Sequence, residues 1–264
     1  MGAAKDILLR PVSAQDANAL VRRVHYSGKV VNNSQLHIGV FYNGKLEGAL
    51  QFGPSLDKRK IQGLVAGTQW HEFIELNRMA FTDVLPRNSE SRALAVAFRL
   101  LRKHAPQVKW VISFADATQS GDGTIYRAAG FVLTGIKQNN QIWQAPDGSV
   151  ATRCVATDTR RPGRAKLFAG SMTMLGAKGT ARQRRTILSR GNATKGQNIV
   201  ETGAASMRPF VEMGWQPMEG HQLRYIYFLD SSYRARLTVP ELPYSAIDEA
   251  GARMYRGERL YAGG

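Results

Sequence analysis

Four short segments of this sequence carry the side chains most able to do chemistry. A polar loop reads His25, Tyr26, Ser27, Gly28, Lys29, and an apolar run from Phe73 to Phe81 carries Glu75, Asn77 and Arg78. A second apolar run, Trp110 to Ala115, delivers Asp116 at its carboxyl end, and the stretch from Gly123 to Ala129 contains Tyr126. An imidazole exchanges protons near neutrality and can also ligate a metal. A guanidinium grips an anionic group or a phosphate through parallel N–H donors. A carboxylate can orient a reacting group or take its proton, and a phenol can stack on a base or protonate a leaving group. Asp116 also has a plain reading as the N-cap of the helix that follows it.

These residues need elements to hold them. The run Asp6 to Arg10 ends at Pro11, and Ser13 offers an N-cap for a helix through Val24, which places His25 just past the helix end. Leu36–Tyr42 and Leu46–Phe52 flank Asn43, Gly44 and Lys45, the signature of an antiparallel hairpin. Phe73 to Phe81 reads as a further strand. Pro86 and Asn88 announce a helix on which Leu94, Phe98 and Leu101 keep helical spacing, with Lys103 and His104 near its end. Trp110 to Ala115 then reads as a buried strand, Gly123 to Ala129 as a short helix, and Phe131 to Gly135 as another strand. Hairpin, strand, helix, strand, helix, strand is the order of an α/β (α+β) mixed sheet flanked by helices. Ligands of such sheets sit beyond strand carboxyl ends, where Asp116 is expected.

The remaining chain divides by composition. Arg160 to Gln197 lacks apolar periodicity and is expected to form a basic inserted arm. Phe210 to Trp215 and the strand-like Leu223 to Leu229 follow, with a terminal helix near Ile247 to Tyr255. The expected divisions are a catalytic core at 1–150, a basic arm at 151–200, and a C-terminal strand and helix extension at 201–264 that packs on the core.

Charge names a class of partner. The 264 residues carry a formal charge of +16, whereas 43% hydrophobic and 21% charged residues are ordinary globular values, so the excess is directed at a polyanion rather than a sign of disorder. Residues 1 to 150 net +7, 153 to 195 net +10 with Asp158 the single acid, and 196 to 264 net −1. The stretch with Arg160, Arg161, Arg164, Lys166, Lys178, Arg182, Arg184, Arg185, Arg190 and Lys195 has no amphipathic helical pattern, so nucleic acid fits better than a membrane surface. No run approaches the length of a membrane span. One cysteine, Cys154, forbids an intrachain disulfide and points to a reducing compartment. Zinc-type spacing is absent, and His71, Glu72 and Glu75 do not make it. His37, His71, His104 and His221 read as structural or surface histidines, Phe131 as core, and the Met172 and Met174 pair as packing.

Two likenesses emerge from the motifs. Tyr126, Arg127, Ala128, Ala129, Gly130, Phe131 resembles the tyrosine, spacer, Gly-Phe element of GNAT acyltransferases. The set His25-Tyr26-Ser27-Gly28-Lys29, Glu75-Leu76-Asn77-Arg78, Asn88-Ser89-Glu90-Ser91-Arg92, Ser113-Phe114-Ala115-Asp116 and Gly123-Thr124-Ile125-Tyr126 resembles the Mom DNA-modification proteins of Mu-like phages. With Arg224-Tyr225-Ile226-Tyr227-Phe228-Leu229, the resemblance covers roughly residues 6 to 136 and 221 to 244.

That resemblance implies a GNAT-like fold and a transferase that converts the exocyclic amine of adenine in duplex DNA to a carbamoylmethyl form, shielding phage DNA from host restriction. It implies His25, Tyr26, Arg78, Asp116 and Tyr126 as catalytic positions and the host bacterial cytoplasm as the site of action. It also suggests iron, with His25 and Asp116 the ligands, and acetyl-CoA, which would meet Asn88 and Ser89. The GNAT pyrophosphate loop is rich in glycine at a helix N-terminus. Here Arg87, Asn88, Ser89, Glu90, Ser91 contains no glycine and places a carboxylate in the first turn. Acyl transfer would in any case give an acetylated amine, not a carbamoylmethyl one, so the donor is left open.

A paired adenine cannot reach a protein pocket, so the target is expected to swing out of the helix, with Tyr26 as its stacking platform. Lys29, Arg182, Arg184, Arg185 and Arg190 are the expected phosphate contacts. Two rivals stand beside this reading: a GNAT-type N-acetyltransferase of another amine, which leaves the charge unexplained, and a noncatalytic DNA-binding protein, which leaves the site residues idle.

Overall fold

In a computed structural model, residues 3–25, 29–117, 123–138, 142–148, 150–152, 193–194, 197–198, 208–218 and 220–252 are described. The elements follow local chemistry. Strand β1 (Leu8–Pro11) leads into helix α1 (Ala14–Val24), whose N-cap Ser13 accepts from the Asp16 amide at 3.0 Å. Strands β2 (Leu36–Tyr42) and β3 (Lys45–Gly53) form the expected hairpin. Its turn is tighter than the sequence suggested: only Asn43 (φ 49°) and Gly44 (φ 77°) lie outside the strands, and Lys45 is already paired with Tyr42.

Helix α2 (Lys58–Gln62) lies in the basic connection between β3 and the next strand. Strand β4 (Phe73–Phe81), helix α3 (Ser89–His104), strand β5 (Trp110–Asp116), helix α4 (Thr124–Ala128) and strand β6 (Val132–Gln138) then follow in the anticipated order. No helix among the described residues is long and apolar enough to cross a membrane.

The chain divides into two compact units, residues 1–137 with 221–264, and residues 138–220. These boundaries differ from the expected 150 and 200. In the second unit β7 (Ile142–Gln144) pairs with β8 (Val150–Thr152) and with β11 (Gln216–Pro217), β9 (Ala193–Thr194) pairs with β10 (Gln197–Asn198), and α5 (Arg208–Glu212) precedes a buried Trp215. Cys154, Met172, Met174 and the arginines of the expected arm lie outside the described residues.

In the first unit, seven strands form one mixed sheet in the order β1-β2-β3-β4-β5-β12-β6. Strand β12 (His221–Phe228) is therefore an inner member of the core sheet, antiparallel to β5 from Gln222↔Asp116 to Phe228↔Trp110. The C-terminal segment completes the core rather than lying on it. Helix α6 (Ser245–Glu249) ends the described chain's regular structure and buries Ile247.

The β4–β5 ladder is parallel and short. It runs from Phe73↔Trp110 to Glu75↔Ile112 and stops, after which β4 continues to Phe81 against β3 and β5 continues to Asp116 against β12. Ser113 donates to the Leu76 carbonyl at 3.4 Å, just past the last pair.

Alternation along each strand sorts residues between two faces. One face carries Leu50, Phe52, Leu76, Val111, Ala115, Leu223 and Tyr225, which pack with Leu94, Phe98 and Leu101 of α3 and Tyr126 of α4. The opposite face carries Ala49, packed with Ala17 and Leu20 of α1, and Trp110, Ile112 and Ile226, packed with Leu64, Val65 and Tyr233.

Candidate functional site

His25 is the C-cap of α1, its backbone N–H bonded to the Val21 carbonyl, so the helix end itself aims the ring. The ring is largely buried, and that desolvation, then the neighbouring Arg78 charge, push its pKa down to about 4. At neutral pH it is an uncharged imidazole, able to accept a hydrogen bond but a weak base.

Arg78 is placed by a defect in β4. Gln51 pairs with Arg78 while the next residue, Phe52, pairs with Leu76, so Asn77 is an extra residue in a β-bulge. The bulge puts Arg78 on the α1 face, beside the fully buried Gln51. There the guanidinium donates from Nε to the Lys29 carbonyl (3.1 Å) and from Nη1 to the Asn77 carbonyl (2.9 Å), tying the loop after His25 to the sheet.

Glu75 shares that face and went unrecognised in the sequence as a site residue. Burial raises its pKa; the Ser55 hydroxyl, Asn77 and Arg78 act in the opposite sense. Desolvation thus drives His25 and Glu75 both toward neutrality, and Arg78 is the charge each of them feels. Gly53 makes the packing possible, because a Cβ there would come within 2.6 Å of Asn77 Oδ1, the atom to which Ser34 donates at 3.1 Å.

A polar chain continues inward. Gln51 Nε2 donates to Asn18 Oδ1 of α1 at 2.9 Å and lies 3.1 Å from Nδ1 of its cross-strand partner His37. Gln51 Oε1 is buried with no hydrogen-bond partner among the described residues. A buried acceptor in this state is costly, typically about 1–3 kcal/mol. Nothing in the sequence singled out Gln51, since its position opposite Arg78 depends on the bulge.

Asp116 ends β5 and, by alternation, shares the face of Trp110 and Ile112. It lies four residues past the last parallel pair and Arg78 three residues past it, so both lie beyond the point where β4 and β5 part. Residues 118–122 are not among those described, and the expected helix that Asp116 was free to cap begins only at Thr124.

Tyr126 sits on the other face. Its ring packs 5.2 Å from Tyr225 and 5.2 Å from Phe131, edge-on to the latter. Gly123, at φ 75°, presses its backbone onto the Tyr225 ring, where a Cβ would come within 2.6 Å. Tyr225 is the register partner of Ser113, one residue past the last parallel pair. The structure thus groups His25, Arg78 and Asp116 on one face and Tyr126 on the other; Tyr26 lies outside the described residues.

The expected cofactor contacts fare differently. Asn88 takes a left-handed conformation (φ 69°) and makes no side-chain cap, while Ser89 is fully buried and donates to the Pro86 carbonyl at 2.6 Å. With Glu90 in the same turn, this helix start is packed and carries negative charge, so it does not fit a pyrophosphate. A metal fits no better: no three His, Cys, Asp or Glu side chains gather among the described residues, and the Arg78 charge lies beside His25.

A family model described as the Mom protein family matches residues 6–246. This chain belongs to the Mom family. It is 40% identical over 131 residues to the methylcarbamoylase mom of Escherichia phage Mu, a match covering 50% of this chain and 54% of that protein. The aligned part thus spans about half the length of that curated relative. Among solved structures, the ribosomal-protein-S18-alanine N-acetyltransferase of Escherichia coli is 16% identical, covering 55% of this chain and 88% of its own, at a TM-score of 0.37. An acetyltransferase of Bacillus subtilis, solved in complex with CoA, is 8% identical, covering 84% and 97%, at a TM-score of 0.37.

Proposed function

We propose that this Mom-family chain is a transferase that modifies the exocyclic amine of adenine in duplex DNA, installing a carbamoylmethyl group that shields phage DNA from restriction in the host cytoplasm. The observation that carries the reading is the gathering of His25, Arg78 and Asp116 on one sheet face, the last two where β4 and β5 part.

The amine of adenine is a poor nucleophile because its lone pair is delocalised into the ring. A carboxylate accepting its N–H raises the electron density on that nitrogen, the role this reading gives Asp116. Arg78 holds an anionic group of the donor or a flanking phosphate. Neutral His25 accepts a hydrogen bond and fixes the base or the donor, while Gln51 Oε1 offers a further acceptor. Tyr126, its ring held by Tyr225 and Phe131, is assigned the role of proton donor to the leaving group. The base reaches these groups by leaving the duplex, with Tyr26 as its stacking partner and Lys29 on the backbone.

No step is routed through coenzyme A or iron, since the residues expected to hold them do not form their sites. Nucleoside mass spectrometry on DNA from cells expressing the chain tests the reading. A deoxyadenosine heavier by one carbamoylmethyl group is the expected result, an acetylated deoxyadenosine would replace the proposed chemistry with acetyl transfer, and unmodified DNA would overturn it.

A further inference from the structure

We propose that the turn Leu56–Lys60, together with Trp70, is a duplex-DNA contact surface built into the core, on which Leu56 wedges against the base stack while Lys58, Arg59 and Lys60 grip the backbone. The proposal rests on the reading of DNA as substrate and adds a surface distinct from Lys29 and the basic middle of the chain.

The turn begins at the candidate site. Ser55 is buried and its hydroxyl bears on Glu75, yet the next residue, Leu56, is 93% exposed. A large apolar side chain projected into water one step from a buried polar site is not explained by packing. The cations follow at once. Lys60 is paired with Asp57 at 2.9 Å but keeps its side chain 84% exposed, and Arg59 is exposed with no acidic partner among the described residues. The Lys58 ammonium lies 4.1 Å from the ring centroid of Trp70, itself 52% exposed.

The support beneath is firm. Ile61, Leu64 and Val65 pack with Phe73, Trp110 and Ile112, on the face that carries Asp116. The Leu64 carbonyl accepts from the Thr238 amide at 2.9 Å, and the Ala66 amide donates to the Arg236 carbonyl at 2.8 Å. Arg236 bonds the Ala66 carbonyl at 2.9 Å and stacks at 4.0 Å on Tyr233, adding a fourth cation beside the turn. A preorganised turn loses little freedom on binding.

Duplex DNA is the partner this surface fits. Its backbone supplies the phosphates that closely spaced cations neutralise, and a lone leucine matches the apolar wedges that DNA-bending proteins insert between base steps. An aromatic ring beside a lysine suits a displaced base. A protein-docking site would instead need a broader apolar core than one leucine and one tryptophan.

Fluorescence anisotropy on a mixed-sequence duplex, across a series of salt concentrations, tests the surface. Relative to wild type, the triple variant Lys58→Ala, Arg59→Ala, Lys60→Ala is expected to lose about tenfold in affinity or more, with a salt slope shallower by about 2 to 3, near 0.9 per phosphate contact removed. Leu56→Ala is expected to weaken binding to the paired duplex by fivefold or more while leaving binding to a duplex with its adenines mispaired unchanged, because mispaired bases are already loosened. Leu56, Arg59 and Lys60 are exposed and Lys58 is half-buried over Trp70, so the thermal melt of Leu56→Ala should match wild type and that of the triple variant should stay within a few degrees of it. A triple variant with the wild-type slope overturns the surface, and a Leu56→Ala variant that behaves alike on both duplexes overturns the wedge. Wild-type protein with no salt-dependent duplex binding would instead sink the DNA reading itself.

Discussion

The two faces of the central sheet are used in opposite ways. Under α3 and α4, Phe98, Phe131, Tyr126, Tyr225 and Tyr227 make a nearly continuous aromatic cluster, with Phe98 and Tyr227 stacked at 4.1 Å. Under α1 and the turn after β3, the same strands bury Gln51, Asn77 and Ser55, half-bury Glu75 and Arg78, and leave Gln51 Oε1 without a partner among the described residues. The contrast separates a face built from apolar burial from one rich in desolvated polar groups. One face supplies burial that holds the strands, and the other tolerates desolvated polar groups that only a well-held sheet can sustain.

This comparison can be broken first on the apolar side. Phe98→Ala should cost roughly 3–5 kcal/mol in urea unfolding, since it removes a fully buried ring from the cluster. A loss below about 1 kcal/mol would mean the cluster is not the mainstay of the fold. On the polar side, Arg78→Ala should lower adenine modification in cells by roughly 10²–10³-fold, as for removal of a fixed charge-stabilising donor, with the melting temperature nearly unchanged. A large drop in melting temperature would recast Arg78 as a purely structural tie to the Lys29 loop.

Tyr126 sharpens the boundary between the faces. Tyr126→Phe keeps the ring that packs on Tyr225 and Phe131 and deletes only the hydroxyl. Stability should stay within about 0.5 kcal/mol while modification falls by at least tenfold. Full activity would assign Tyr126 to packing alone.

The smallest effect is on pH. His25 has its pKa lowered to about 4, so the unfolded chain binds the extra proton, and stability rises as pH climbs from about 4 to about 6.5. Glu75 has its pKa raised, so the folded chain holds the extra proton, and stability falls with rising pH through that group's titration. In urea midpoints across pH, His25→Gln should flatten the rise between about 4 and 6.5 by up to about 1 kcal/mol per pH unit, and Glu75→Gln should act in the opposite sense, removing a fall in stability with rising pH. Changes of the same sign would show that the two groups are not desolvated as described.

Much of this frame was legible in local patterns. Ser13 before an amphipathic run, Asn43-Gly44 between two apolar runs and Asp116 at the end of Trp110–Ala115 each act within a few residues, so their consequences could be read directly. The inner place of β12 was not legible, because it depends on pairing with β5 more than a hundred residues away. Gln51 and Glu75 escaped for a related reason. Their neighbours are set by the Asn77 bulge and by the close approach at Gly53, and neither leaves a periodic trace. Helix α2 was missed because Lys58, Arg59 and Lys60 have no apolar spacing to announce it.

The account's central claim is that the face bearing His25, Arg78 and Asp116 carries out the modification of adenine. Asp116→Asn keeps the size and shape of the side chain at the end of β5 and removes its charge. Nucleoside mass spectrometry of DNA from cells producing equal amounts of folded wild type and Asp116→Asn is the direct measurement. The account predicts carbamoylmethylated deoxyadenosine with wild type and a loss of at least a hundredfold with the variant. Equal modification by both proteins, or unmodified adenine in both, would contradict it.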